Sequence, residues 1–155
     1  MEDIVNTEKN NIILYGGRVG GKTKSTVIIC VLFMLMFPYT DGVVARANYG
    51  SLRDSAYSEF QTAIEEMGEL VAGQFIMRKS PLRIERINDA GTVFFQGYGG
   101  SNMSRTKGIK TRHKIKFVMF EETQELKSRA SLDEAVASYR RNYGTGVKVF
   151  TLFNP

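Results

Sequence analysis

The chain has 155 residues, 43% of them hydrophobic and 24% charged, and its formal net charge is +5 at pH 7. We expect residues 1–155 to form one globular domain with a substantial core. The positive charge favours polyanionic partners, nucleic acid above all, although a generic basic protein has the same balance. Cys30 is the only cysteine, which excludes an intrachain disulfide and fits a reducing, cytoplasmic setting.

The first predicted elements surround a glycine-rich loop. Residues 12–14 are apolar and predict a buried strand, and a helix is predicted over residues 22–36. Between them, residues 16–23 read G-G-R-V-G-G-K-T and match the P-loop pattern G-x-x-x-x-G-K-[ST]. A strand, a glycine loop and a helix in this order direct loop amides and a helix N-terminus toward a polyphosphate. The alternative is a glycine-rich turn that matches by chance.

This loop predicts a site for ATP and Mg²⁺. We expect the Lys22 ammonium to meet the β- and γ-phosphates and the Thr23 hydroxyl to complete the Mg²⁺ shell. The predicted ATP-binding residues are Gly16, Gly17, Arg18, Val19, Gly20, Gly21, Lys22, Thr23 and Lys24.

Apolar periodicity predicts the elements that follow. Residues 27–37 are continuously apolar, but a bilayer needs about 20 residues, so we expect a buried helix and no membrane partner. A second strand is predicted over residues 42–46. A second helix is predicted from Ser51, its N-cap, to Gly68 or Gly73. Its apolar face consists of Leu52, Ala56, Phe60, Ala63, Ile64 and Met67.

The pattern changes over residues 75–96. Short runs at residues 75–78, 82–86 and 92–95 are separated by turn residues, which predicts an antiparallel hairpin insertion. Residues 97–116 are rich in glycine and then in lysine and arginine. We expect an exposed loop there, whose charge faces DNA, a neighbouring subunit or only solvent.

The last segments alternate strand, helix and strand. A buried strand is predicted over residues 115–120 and a last strand over residues 147–153. The helix between them is predicted over residues 131–143, with Ser131 as N-cap and Glu134 at the capping-box position. Strands that alternate with helices indicate an α/β fold with a mostly parallel central sheet flanked by helices.

Two carboxylates follow the strand predicted over residues 115–120. An apolar strand that ends in two acids is the Walker B arrangement, in which Glu121 holds Mg²⁺ through water and Glu122 polarises the attacking water as general base. The alternative is a helix start, where acids are favoured by the helix dipole. Residues 151–155 end the last strand and read T-L-F-N-P. A polar residue there would lie beside the P-loop and sense the γ-phosphate, and the alternative is a strand that Asn154 and Pro155 simply terminate.

Several of these segments, taken together, resemble a known family. They read G-G-R-V-G-G-K-T-K-S, V-V-A-R-A-N-Y-G-S-L-R-D-S-A-Y-S-E-F, K-G-I before F-V-M-F-E-E-T-Q-E-L, and T-L-F-N-P, in this order. The chain is similar to the N-terminal ATPase domain of tailed-phage terminase large subunits, in the branch that resembles the PBSX-type terminases. The resemblance covers nearly the whole chain and implies a P-loop NTPase fold of the additional-strand (ASCE) type.

The resemblance also implies roles for single residues. Arg18 matches the family's P-loop arginine and would contact the γ-phosphate or couple to it, which adds it to Lys22 and Glu122 as a catalytic residue. Thr151 and Asn154 match the coupling motif that links hydrolysis to movement. Ring motors of this kind take an arginine from a neighbouring subunit, and the candidates are Arg105 and Arg112.

For the whole protein, the resemblance implies an ATPase that pumps double-stranded DNA into a procapsid. It implies self-association into a ring, a portal and a small terminase subunit as partners, and the host cytoplasm as location. Family members continue into a nuclease domain with an acidic metal-binding cluster, whereas only scattered aspartates occur here, so we expect a C-terminally truncated ATPase domain without nuclease activity. Alternatives are a helicase-like P-loop ATPase, a small kinase, or a nucleotide-binding fragment with little turnover in isolation.

Overall fold

The computed structural model describes residues 8–17, 21–98, 109–126, 128–143 and 146–154, and its centre is a seven-stranded sheet. The strands are β1 (Asn11–Tyr15), β2 (Thr40–Arg46), β3 (Phe75–Lys79), β4 (Leu82–Arg86), β5 (Thr92–Gly97), β6 (Lys114–Phe120) and β7 (Lys148–Phe153). The helices are α1 (Lys22–Met36), α2 (Ser58–Glu66), α3 (Glu69–Ala72) and α4 (Arg129–Tyr143).

The strand order is β1-β7-β6-β2-β5-β4-β3. The first five strands in this order run parallel, and β4 is antiparallel to both β5 and β3. The predicted α/β sheet with an antiparallel insertion is therefore confirmed, with one refinement: β5 pairs with the hairpin on one side and joins the parallel sheet through β2 on the other. Since β7 lies between β1 and β6, the sheet has the additional strand of the ASCE type.

Two apolar clusters hold the helices to the two faces of the sheet. On one face, α1 and α2 pack against β2, β6 and β7, with Cys30, Phe33 and Phe60 fully buried. On the other face, Ala135 and Tyr139 of α4 pack against the same strands. The continuously apolar α1 is buried because it lies between the sheet and α2, as the sequence predicts. Among the described residues, no helix combines the length and apolar character that a membrane span requires.

β1 differs from the buried strand predicted for it. It pairs with β7 and is the first strand in the sheet order. Ile12 and Leu14 pack against the core, whereas Ile13 and Tyr15 are 70% and 68% exposed. A short apolar run does not show whether both of its faces are covered, because it reads the same in a central and in an edge strand.

Two predicted helix caps are wrong. Ser51 lies in a 3-10 turn, Tyr49–Ser51, whose N-cap is Asn48. α4 begins at Arg129, so Ser131 is inside its first turn, and the Ser131 amide donates to Oγ of Ser128 at 3.3 Å. Serine can cap any point at which the chain enters a helix, so two nearby serines cannot be distinguished as N-caps from sequence.

The close approach of β2 to β6 gives a stability prediction. A Cβ built on Gly42 would overlap the ring of Phe117, which is fully buried. Gly42→Ala is therefore expected to lower the free energy of unfolding by about 2 kcal/mol, the usual cost of overpacking a core. Chemical denaturation measures this, with Gly146→Ala as the control, because nothing lies within 4 Å of a Cβ there. Equal stability of the two variants would contradict the prediction.

Candidate functional site

The glycine loop joins β1 to α1 as predicted. Gly16 and Gly17 follow β1, and Gly21 is the N-cap of α1, with φ 64° and ψ 9°. This left-handed conformation is one that glycine adopts without steric cost. The amides of the first turn of α1 have no partners within the helix, so they can bind an anion. The predicted ATP-binding residues Arg18, Val19 and Gly20 lie outside the described residues.

The Lys22 side chain folds back over this loop. Its Nζ donates to the backbone oxygens of Gly16 at 2.5 Å and Gly17 at 2.9 Å. It also donates to Oδ1 of Asn154 at 2.8 Å. A lysine from the start of α1 thus meets an asparagine from the end of β7, since β7 is the neighbour of β1 in the sheet.

Asn154 connects this lysine to one of the two glutamates. Its Nδ2 donates to Oε1 of Glu122 at 2.7 Å, while its Oδ1 accepts from Lys22. Gln124 supports the pair, because its Nε2 donates to Oε2 of Glu122 and its Oε1 accepts from the Asn154 amide at 3.1 Å. Glu122 itself has a left-handed backbone, φ 51° and ψ 50°. The ends of β1, β7 and β6 therefore share one continuous set of hydrogen bonds.

Glu121 points into a different, buried environment. The residue is 4% exposed, its Oε2 accepts from the Ser55 hydroxyl at 2.8 Å, and Nη1 of Arg46 lies 3.5 Å from the same oxygen. Burial raises the pKa of Glu121 above its usual value, while the Ser55 hydroxyl and the Arg46 guanidinium act in the opposite direction. The two adjacent glutamates are thus held apart by different partners.

Arg46 is itself fixed by a second acid. Its Nε and Nη2 donate to the two carboxylate oxygens of Glu125 at 3.1 and 2.5 Å. Such a two-point contact defines the orientation of the guanidinium plane. The side chain of Arg46 is only 15% exposed, so its charge acts on Glu121 with little solvent screening.

The other predicted site residues are placed as follows. Thr23 lies half-buried in the first turn of α1. The Lys24 ammonium pairs with Glu66 of α2 at 2.8 Å. Thr151 is buried in β7 and lines a cavity of about 600 Å³ beside α4. Asn154 contacts both Lys22 and Glu122, whereas Thr151 faces this cavity.

Of the two candidate trans arginines, Arg105 lies outside the described residues. Arg112 precedes β6 and donates to Asp89 at 3.0 Å. β6 has seven residues, which is about 23 Å of extended chain, and Glu122 follows its other end. Arg112 therefore cannot reach the Lys22 site of its own chain.

Sequence reasoning assigned no role to Gln124, Arg46, Ser55 or Glu125. One signal was available for Arg46, because it ends a parallel strand, and polar residues at the carboxyl ends of parallel strands gather at one edge of the sheet. The contacts of Ser55 with Glu121 and of Gln124 with Asn154 join distant parts of the sequence, and no local pattern predicts them.

The sheet order, the glycine loop with Lys22 and the strand that is followed by Glu121 and Glu122 define an additional-strand P-loop NTPase domain. A family model described as "Phage terminase large subunit" matches residues 8–155. The chain therefore belongs to the phage terminase large subunit family, as the sequence motifs predict.

Individual relatives agree with this assignment. The PBSX phage terminase large subunit of Bacillus subtilis (strain 168) is 32% identical over 127 residues, which are 81% of this chain and 27% of that protein. The chain thus spans about a quarter of the length of this curated relative.

Solved structures share the fold. The large terminase of a thermophilic bacteriophage matches with a TM-score of 0.74 and 17% identity, over 99% of this chain and 38% of its own. The same terminase in complex with ATP-gamma-S matches with a TM-score of 0.69 and 18% identity, over 99% and 37%. The large terminase ATPase domain of Thermus phage P74-26 gives 0.66 and 12%, over 94% and 61%.

Proposed function

We propose that this chain is an ATP-hydrolysing motor domain that couples ATP hydrolysis to the movement of double-stranded DNA into a procapsid. The observation that carries the proposal is the chain of contacts from Lys22 through Asn154 to Glu122. It joins the predicted phosphate-binding residue to the predicted general base. Both the family assignment and the likeness to a terminase studied with ATP-gamma-S support this reading.

The residues present fit Mg²⁺ as well as ATP. Mg²⁺ prefers oxygen ligands and is usually held by one or two protein groups together with substrate phosphates and water. We assign the metal role to the Thr23 hydroxyl and the Glu121 carboxylate, which are both oxygen ligands. Thr23 follows β1 and Glu121 follows β6, and these two strands flank β7, which precedes Asn154. When bound, Mg²⁺ would neutralise charge on the β- and γ-phosphates.

In the proposed mechanism, Lys22 exchanges the backbone oxygens of Gly16 and Gly17 for phosphate oxygens. Arg18 contacts the γ-phosphate or couples to it, which is the role that the family resemblance implies for it. Glu122 accepts a proton from the attacking water, and Asn154 holds one of its carboxylate oxygens. Because Asn154 touches both Lys22 and Glu122, a movement of Lys22 on nucleotide binding changes the partners of the base. This is the coupling role we assign to Asn154, together with Thr151 on the strand that precedes it.

The assembly we propose is a ring of subunits around double-stranded DNA, joined in the full motor by a portal and a small terminase subunit in the host cytoplasm. Arg112 lies too far from the Lys22 site of its own chain to act there, so the catalytic role we propose for it is on the nucleotide of a neighbouring chain. Arg105 remains the second candidate. An arginine supplied by a neighbour is worth roughly 10³ to 10⁵ in rate where such residues are known.

A second candidate function follows from the same observation. A chain that depends on a neighbour's arginine can bind ATP in isolation, but it hydrolyses ATP slowly without that neighbour. The alternative is therefore a nucleotide-binding domain with little turnover in isolation. A helicase-like ATPase is less favoured, because the family model matches a terminase over residues 8–155.

Steady-state ATP hydrolysis over a wide range of protein concentration tests these readings, with Glu122→Gln as the blank. We expect the specific activity to rise with concentration and with added double-stranded DNA. A mixture of Arg112→Ala, which keeps its P-loop, and Lys22→Ala, which keeps its arginine, is expected to exceed both variants alone. Activity that stays at the level of the blank at every concentration, with ATP still bound, would support the nucleotide-binding reading instead.

A further inference from the structure

A single π-helical turn lies beside the predicted metal-binding glutamate. It covers Arg53–Tyr57, and the Tyr57 amide donates to the Leu52 oxygen at 3.0 Å, five residues back. Isolated π-turns are rare and occur often at functional sites. Here the wide turn buries both Ala56 and Tyr57 against the core, while Ser55 lies next to Glu121 on the side of the candidate site.

The contacts of Ser55 act on one particular atom. Its hydroxyl lies 2.8 Å from Oε2 of Glu121, and Arg46 approaches the same oxygen at 3.5 Å. Both contacts are made to Oε2, so Oε1 is the carboxylate oxygen that neither Ser55 nor Arg46 engages. Ser55 and Arg46 therefore decide which way this carboxylate points.

We propose that Ser55 is a positioning residue for the Mg²⁺-binding carboxylate of Glu121, assisted by Arg46 in the orientation that Glu125 fixes. The inference rests on the proposed function, because it assigns Glu121 the metal role. It adds a residue that neither the P-loop nor the Walker B pattern contains.

The alternative for Ser55 is a purely local role. Its hydroxyl also lies 2.7 Å from the backbone oxygen of Ser51, a common contact of serine in helices. One hydroxyl proton serves one acceptor at a time, and hydrogen bonds to ionised acceptors are the stronger ones. The local role affects only folding, whereas the positioning role affects the response to Mg²⁺, so an experiment can separate them.

The experiment measures the equilibrium affinity for ATP-γ-S by calorimetry, with Mg²⁺ and with EDTA. The quantity of interest is the factor by which Mg²⁺ tightens binding. We expect Ser55→Ala to reduce this factor about ten- to a hundredfold, the usual effect of losing one hydrogen bond to a charged group, with affinity in EDTA unchanged. Ser55→Thr keeps the hydroxyl and is expected to keep the factor. Ser58→Ala, an exposed serine three residues on, is the matched control.

Double variants complete the test. If Ser55 acts through Glu121, Ser55→Ala should change nothing further in a Glu121→Gln background. An unchanged factor in Ser55→Ala, additive effects of the two substitutions, or an equal loss of affinity with Mg²⁺ and with EDTA would overturn the inference while leaving the proposed function intact. If Mg²⁺ does not tighten binding to the unmodified chain, both the metal assignment and this inference fail.

Discussion

Glu122→Gln is expected to lower the rate of ATP turnover at least about a hundredfold, in the range that general bases contribute, and to leave affinity for Mg²⁺-ATP within about twofold. Glutamine has nearly the size of glutamate but cannot accept the proton of the attacking water. It also disturbs the local contacts, since Asn154 Nδ2 and Gln124 Nε2 each donate to one carboxylate oxygen of Glu122, and an amide has only one oxygen. Single-turnover hydrolysis and equilibrium binding measure the two quantities separately.

Substitution of the neighbouring glutamate, Glu121, is expected to affect metal-dependent binding and not the base. Glu121→Gln should reduce the Mg²⁺-dependent part of nucleotide affinity, because Glu121 has the proposed metal role. Glu134→Gln, on the exposed face of α4, removes an equal charge and should change neither quantity. If Glu122→Gln lost Mg²⁺-ATP affinity and kept its turnover per bound nucleotide, the roles of the two glutamates would be exchanged.

The local parts of this site could be predicted because each depends on consecutive residues. The glycines before Lys22 specify a loop that L side chains do not easily form, and the continuously apolar run after it specifies a buried α1. The same holds for the apolar strand before Glu121. The motifs on their own gave no indication of how these segments lie relative to one another.

The structure supplies that relation through strand order. β7 lies between β1 and β6, so Asn154 reaches both Lys22 and Glu122. The sequence allowed a sensor role for Asn154, together with Thr151, but did not separate the two. Residues 151 and 153 of β7 face the cavity beside α4, and only the residue after the strand is at the edge where the P-loop lies.

The sequence-based predictions that were wrong concern segments for which several local conformations have similar energy. Ser128 and Ser131 are equally good caps in sequence, and the structure starts α4 at Arg129, directly after Ser128. The π-turn at Arg53–Tyr57 has no sequence signature, because the apolar spacing of Leu52, Ala56 and Phe60 also fits a regular helix. The contact between Ser55 and Glu121 depends on this turn and could not be predicted without it.

Lys22→Ala is expected to lower ATP affinity at least about a hundredfold, which corresponds to about 2.7 kcal/mol. The substitution removes the charge that the structure places over the loop oxygens of Gly16 and Gly17. Charge-assisted hydrogen bonds to phosphate are among the strong contacts of a site. Equilibrium binding of ATP-γ-S measures the loss directly.

The same substitution separates binding from folding. Lys22 is partly exposed and lies at the first position of α1, where alanine is a good helix former, so the free energy of unfolding without nucleotide should change by less than about 1 kcal/mol. Lys79→Ala, an exposed lysine at the end of β3, is the control for loss of one positive charge. It should keep normal affinity, because a general reduction of the net charge acts weakly at that distance. Unchanged affinity for ATP-γ-S in Lys22→Ala would contradict the P-loop assignment. The contact between Lys22 and Asn154 could then no longer be interpreted as the link from the nucleotide to the catalytic base.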